Sequence, residues 1–166
     1  MKMLTKNKQS GFTLFEVLIA IVVFSIGLLG LANLQGYSMS SSYNAHLRTQ
    51  ATSLASSIID RMRANREQAL SSNAYTIDFE ANPPSTSIDC SSGCTPSQMA
   101  QLDLLEWKCS LGSYVQESFC DGLVSQATLP NGDGEIKEVN NGQIEVTVRW
   151  SDSLGDDHSV VLLTGL

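Results

Sequence analysis

Eighteen consecutive residues, Val17 to Leu34, carry no charge. At ~1.5 Å of rise each they make roughly 27 Å of helix, long enough to cross the hydrocarbon core of a bilayer. Lys2, Lys6 and Lys8 precede this run, and no lysine or arginine follows until Arg48. The excess of positive charge on the amino-terminal side places that end in the cytoplasm, so that everything after Gly36 is exported. Export agrees with four cysteines, which pair in an oxidising compartment and stay reduced in the cytosol.

The segment Ser10-Gly11-Phe12-Thr13-Leu14-Phe15-Glu16 joins the basic stretch to the apolar run. A secretory signal is cut after its hydrophobic region, near small residues; here the small-residue junction lies before it. Cleavage between Gly11 and Phe12 therefore removes three lysines and keeps the membrane segment. It leaves 7 basic against 17 acidic side chains, about −10 in formal charge. That balance argues against a nucleic-acid partner, because phosphate binding needs clustered cations. The one cluster, Arg61, Arg63 and Arg66, has Asp60 and Glu67 within i,i+3 and i,i+4 reach and reads as a solvated helix face. Glu16 is an ionisable carboxylate at the edge of a lipid-crossing segment, a placement that costs ~2.5 kcal/mol or more near the bilayer centre unless it is paired. A freed Phe12 amine, one helical turn away or on a neighbouring chain, supplies the partner.

Helical periodicity continues beyond the apolar run. Leu47, Ala51, Leu54, Ala55, Ile58 and Met62 form one stripe, no proline interrupts it, and the pattern predicts a helix of fifty-nine residues from Phe12 to about Leu70. Gly27, Gly30 and Gly36, with Ala32, notch its apolar half. Each glycine costs ~1 kcal/mol against alanine in a helix interior. Two readings stand: close approach of another helix, or local melting when the segment changes environment.

From Ser71 to Ser92 the sequence is polar and contains Pro83-Pro84, which ends any helix. Thr95-Pro96-Ser97-Gln98 is a capping box with proline at the first helical position. It opens a helix of about sixteen residues with Met99, Leu102, Leu105 and Cys109 on its apolar face and an end near Gly112. After Pro130 the period becomes two. Glu135–Val139, then Ile144 to Trp150 beyond an Asn141-Gly142 turn, then His158–Leu163 predict a three-stranded antiparallel meander.

If Pro96 to Leu111 is helical, Cys94 and Cys109 stand roughly 20 Å apart, far beyond the ~7 Å reach of a disulfide. Cys90, at most ~14 Å away over four residues, also falls short of Cys109. Cys109 is left with Cys120, and Cys90 with Cys94. The spacing is too irregular for a four-cysteine zinc site. Asn131, Asp133 and Glu135 offer only a fragment of a calcium loop and read as a turn into the first strand. His46 and His158 are isolated, and no catalytic constellation or cofactor motif is evident, so the chain is not read as an enzyme.

Glycine, phenylalanine, Thr-Leu and then a glutamate fifth in the processed chain resemble the prepilin class 3 signal. Phe15 stands where isoleucine or valine is commoner. Glu16-Val17-Leu18-Ile19-Ala20 and Ser25-Ile26-Gly27-Leu28-Leu29-Gly30-Leu31-Ala32 resemble the PilV family of type IV pilus minor pilins. Cys94 to Met99, Trp107, Leu129 to Gly134 and Val146 to Trp150 agree with that likeness, as does Asn33 where many major pilins carry proline. The resemblance implies a pilin-like α+β fold, a long amino-terminal helix packed on a small domain with a short helix and a β-meander. It implies a leader over 1–11, a membrane and filament-core half over 12–36, an amphipathic half over 37–70 and a periplasmic domain over 71–166. It further implies cleavage at Gly11–Phe12 by prepilin peptidase, N-methylation of Phe12 and docking through Glu16. The expected partners are other minor pilins, the major pilin and the assembly platform of the inner membrane, in a complex that primes pili for adhesion and twitching motility. A type II secretion pseudopilin shares the same signal and helix, and a ligand-binding, adhesin-like pilin is a rival of a different class.

Overall fold

A computed structural model describes residues 11–84, 88, 90, 93–140, 142–152 and 155–166. Lys2, Lys6, Lys8, Ser10, Ser92 and Asn141, to which the sequence assigned roles or boundaries, lie outside the described residues. One helix, α1, covers Leu14–Ala64. The chain divides into two compact units, residues up to Tyr43 and Asn44–Leu166.

The first unit is the apolar part of α1. Its start is two residues later than the periodicity predicts because Thr13 caps it: the Glu16 N–H lies 3.1 Å from the Thr13 carbonyl and 3.3 Å from its hydroxyl. Glu16 then falls in the first turn, where a carboxylate complements the helix dipole.

The second unit is organised by the rest of α1. Leu47, Ala51, Ala55, Ile58, Ile59 and Met62 are buried, and Leu54 packs at the edge of the same cluster. Each large member contributes ~1.5–3 kcal/mol by leaving water. Ala51 and Ala55 are fully buried and leave room for neighbours to approach the helix backbone. The helix was expected to reach Leu70. It ends instead at Ala64, and α2, Arg66–Ser71, follows after Asn65 at φ −118° and ψ 47°. The Asn65 amide donates to the Pro96 carbonyl at 2.7 Å and to the Tyr75 hydroxyl at 3.2 Å. Those tertiary bonds hold a poor helix former off the helical path.

The second major helix, α3, spans Pro96–Leu111 with the expected capping box: the Gln98 N–H meets the Thr95 hydroxyl at 3.3 Å, and the Thr95 N–H meets the Gln98 side-chain oxygen at 2.9 Å. Its buried face departs from the one read in the sequence. Met99 is exposed and Leu102 only half-buried, whereas Ala100, Leu104, Trp107 and Leu111 enter the main core. Leu105 and Cys109 turn to a smaller cluster with Cys120. The helix thus contacts apolar groups on two sides, which a single stripe does not describe.

The sheet is β1 (Asp133–Asn140), β2 (Gln143–Ser151) and β3 (Asp157–Gly165), antiparallel in the order β1-β2-β3. All three strands are longer than their apolar pattern, because flanking polar residues complete the ladders. Ile144, Val146, Val148 and Trp150 of β2 are buried, and Val160 and Leu162 of β3 join them at the margin. Ile136 of β1 exchanges both backbone hydrogen bonds with Ile77, at 2.8 and 3.1 Å, so the polar 71–92 stretch contributes an anchored residue to the sheet edge. Disulfides join Cys90 to Cys94 and Cys109 to Cys120, with Cα separations of 5.0 and 5.5 Å.

Gly112 ends α3 at φ +137°, and a Cβ there would drive into the Leu129 carbonyl; Gly122 has φ +80° with open space around it. Gly112→Ala is therefore expected to destabilise the domain by more than the ~1–3 kcal/mol of backbone strain alone, and Gly122→Ala by no more than that strain. Thermal unfolding of the two variants, compared with the parent chain, checks the order.

Candidate functional site

The amino-terminal segment presents every group the sequence singled out for processing and docking. Gly11 and Phe12 precede α1 in irregular, exposed backbone, and Phe12 is 83% exposed. Glu16 is exposed and shares one shallow face with Phe12, Val17, Ala20, Ile21 and Phe24. From Leu14 onward α1 is long and apolar enough to cross a membrane, and none of its most apolar eighteen-residue window is buried. Ser25, a polar group within it, is satisfied by donating to the Ile21 carbonyl at 2.7 Å. A Cβ added at Gly27, Gly30 or Gly36 would meet nothing within 4 Å. The notches are open.

The second unit carries a charged frame that sequence reasoning missed. Lys108 is fully buried, and its ammonium donates to Asp133 Oδ1 at 2.6 Å and to the Asp78 carbonyl at 3.0 Å. Asp133 also accepts from the Gly134 and Glu80 N–H groups, each at 2.7 Å. Burial pushes the Lys108 ammonium below its ordinary range, and the Asp133 carboxylate opposes that shift. The carboxylate considered as a calcium ligand is thus an anchor for α3 and β1, while Glu135 pairs with Lys137 at 2.7 Å. Asn131, at φ +49°, lies just before the tight bond from the Gly132 N–H to the Leu129 carbonyl.

The arginine cluster is not one solvated face. Arg63 does pair with Asp60 at 2.9 Å. Arg61 instead reaches across to α3, at 2.9 Å from Asp103 and 2.6 Å from Glu106, and Arg66 donates to the Leu166 carbonyl at 2.8 Å. The other oxygen of Asp103 accepts from Tyr75 at 2.6 Å. Burial, followed by that bond, raises the Tyr75 hydroxyl above its ordinary value. A sequence signal for these pairs existed: Asp103 and Lys108 interleave with Ala100, Leu104, Trp107 and Leu111 on a face that alternates apolar and charged at helical spacing. Of the two histidines, His46 is exposed, and His158 lies 3.2 Å from Asp152 and stacks on Trp150 with ring centroids 5.8 Å apart. Among the described residues no group of three metal-binding side chains comes together.

A long helix opening with an exposed apolar half, followed by a small α+β domain with a three-stranded meander, is the pilin architecture. Residues 33–105 match the family described as Tt1218-like, Type IV pilin Tt1218, and residues 6–32 match the prokaryotic N-terminal methylation motif. The two matches are contiguous and together support a type IV pilin carrying a prepilin signal. The signal and the apolar helix fit anchoring in the inner membrane followed by entry into a pilus, with prepilin peptidase and pilus components as the implied partners. No curated protein and no solved structure gives a significant match.

Removing one partner of the buried pair leaves an uncompensated charge, a loss of ~3–5 kcal/mol, whereas an exposed pair is worth ~0–1 kcal/mol. Lys108→Met is accordingly expected to lower the unfolding midpoint sharply and Arg63→Met hardly at all, as read by urea denaturation of the two variants.

Proposed function

We propose that this chain is a minor pilin of PilV type, cut by prepilin peptidase between Gly11 and Phe12, methylated on the Phe12 amine, and recruited through Glu16 into a complex that initiates pilus assembly. The leader over 1–11 is lost, 12–36 passes from lipid into the filament core, 37–70 carries the domain, and 71–166 lies in the periplasm before export. The observation that supports this reading is that none of the apolar window of α1 is buried, in a chain whose residues 6–32 match the methylation motif. A surface of that size is not left to water. Lipid and a bundle of like helices are two apolar environments for it, so extraction exchanges one burial for another.

Glu16 biases that exchange. Alone in lipid it costs ~2.5 kcal/mol or more, equivalent to a roughly seventyfold population bias; beside the amine of a neighbour the cost is relieved. The same pair sets register, because one carboxylate and one amine per chain meet in a single axial arrangement. Priming, adhesion and twitching follow from the PilV likeness.

Gly11→Leu is expected to block processing, leaving the full precursor mass by mass spectrometry; a normal mature mass would refute the cut site. Glu16→Ala is expected to be processed normally but to lose most of its incorporation into surface pili, measured by immunoblot of sheared filaments, and unchanged incorporation counts against docking through Glu16. A deletion strain scored for surface pili and for secreted enzymes separates the assignments: loss of pili supports a pilus role, and loss of secretion with pili intact selects the pseudopilin.

A further inference from the structure

The two disulfides sit in opposite surroundings. Cys109 and Cys120 have no exposed surface and, with Leu105, form an apolar cluster of their own, against which Tyr114, Phe119 and Val124 pack. Cys90 and Cys94 are half-buried and belong to neither apolar cluster. Every residue from Thr95 to Met99 is exposed, as is Gly93, where an added Cβ would meet nothing within 4 Å. Cys94 also lines a mostly apolar cleft of about 360 Å³ with Ala64, Asn65, Pro96 and Met99. Thiol–disulfide exchange requires the attacking thiolate to reach a sulfur, so access alone separates the two bridges.

The fold depends on them unequally as well. Four positions separate Cys90 from Cys94 and eleven separate Cys109 from Cys120; the shorter ring removes less entropy from the unfolded chain. The turn between Cys90 and Cys94 is also held without its bridge. The Gly93 N–H donates to the Cys90 carbonyl at 3.0 Å, the capping box fixes Thr95, and the Asn65 amide holds the Pro96 carbonyl at 2.7 Å. A reduced pair therefore stays close enough to close again.

We propose that Cys90–Cys94 is a thiol–disulfide exchange site for a protein dithiol, and that Cys109–Cys120 is inert while the domain is folded. A thiolate of the dithiol attacks one sulfur of the bridge, the S–S bond breaks, and the other cysteine leaves as a thiolate with the electron pair. The partner's second thiol then displaces the first from the mixed disulfide. Two electrons and two protons pass to Cys90 and Cys94, and the partner becomes a disulfide. The cleft beside Cys94 offers a protein partner apolar surface that a small dithiol does not use. That the partner meets this site after export rests on the pilin reading; the difference in access between the two bridges does not.

The test uses the full chain in detergent micelles without denaturant, with acid quenching, alkylation and peptide mass mapping at each time point. Under dithiothreitol, Cys90 and Cys94 are expected to become labelled at least about a hundredfold faster than Cys109 and Cys120, whose release waits on opening of the domain. Urea is expected to abolish the difference. Reduced thioredoxin, the probe for a protein dithiol, is expected to outpace dithiothreitol at equal concentration. Thioredoxin with its second active-site cysteine replaced by serine is expected to be trapped as a mixed disulfide on Cys90 or Cys94. Replacing Cys90 and Cys94 together by serine should leave the unfolding midpoint close to that of the parent chain, and replacing Cys109 and Cys120 together by alanine should lower it clearly. Equal rates for the two bridges, earlier reduction of Cys109–Cys120, or reduction of neither before urea overturns the exchange site. So does a Cys90 and Cys94 variant that unfolds as readily as the other. Reduction by dithiothreitol with no trapped thioredoxin overturns a protein dithiol as the partner. None of these outcomes depends on pilus assembly, so failure here leaves the proposed function standing.

Discussion

The main core of the carboxy-terminal unit is built against one stripe of α1. Ala51, Ala55, Ile58 and Met62 have no exposed surface, and the two alanines limit what can stand opposite them to groups that reach down to the helix backbone. Trp107 does so: its indole N–H bonds the Leu54 carbonyl while its ring enters the core. That single contact fixes the height of α3 along α1, because a displacement by one turn would separate donor and acceptor by ~5.4 Å. Gly134 then sets how closely the sheet approaches α3, since a Cβ there would overlap the Trp107 ring and the Leu111 side chain. From a helix with small residues at two positions, the spacing of helix, helix and sheet follows.

The elements legible in the sequence are those in which one local signal dominates. The alternation of Ile144, Val146, Val148 and Trp150 reads directly as a strand because one of its faces is buried along its whole length. The capping box at Thr95 opens α3 where expected, since both of its hydrogen bonds are made within four residues. The cysteine pairing was equally accessible: a helix between Cys94 and Cys109 is a rigid spacer, and its length eliminates the alternatives by reach alone. The Gly11 to Glu16 junction and the open apolar helix behind it were also visible, since neither depends on folding against anything else in the chain.

What was not legible depends on contacts between residues distant in sequence. The break at Asn65 needs Tyr75 and Pro96 to be present, and nothing near Asn65 announces them. The spacing that places Lys108 on an apolar face was present in the sequence, but lysine is ordinarily a surface residue; only its meeting with Asp133, twenty-five positions away, makes burial tolerable. Arg61 has no carboxylate three or four residues away; Arg63 takes Asp60 and Arg61 turns to α3. Local pairing rules rank exposed neighbours, and they are silent when a part-buried acid such as Asp103 offers a stronger field at lower dielectric.

Gly27, Gly30 and Gly36 lead to a last step. Each gives up ~1 kcal/mol of helix stability relative to alanine, and the space beside each is empty. Within the described residues nothing offsets that loss: no backbone crosses there, no side chain fills the notch, and none of the three has a φ in the left-handed region that favours glycine. A compensating interaction must therefore come from outside the chain. Lipid acyl chains fill an alanine-lined helix as readily as a glycine-lined one, so lipid alone does not reward the notches. A neighbouring helix does, since its approach is limited by the Cβ atoms it meets. In the proposed assembly the glycines favour a helix-lined environment over lipid, in the same direction as relief of the Glu16 charge. Apolar packing and electrostatics, which usually oppose each other when a carboxylate is buried, act together in that proposal on one long helix.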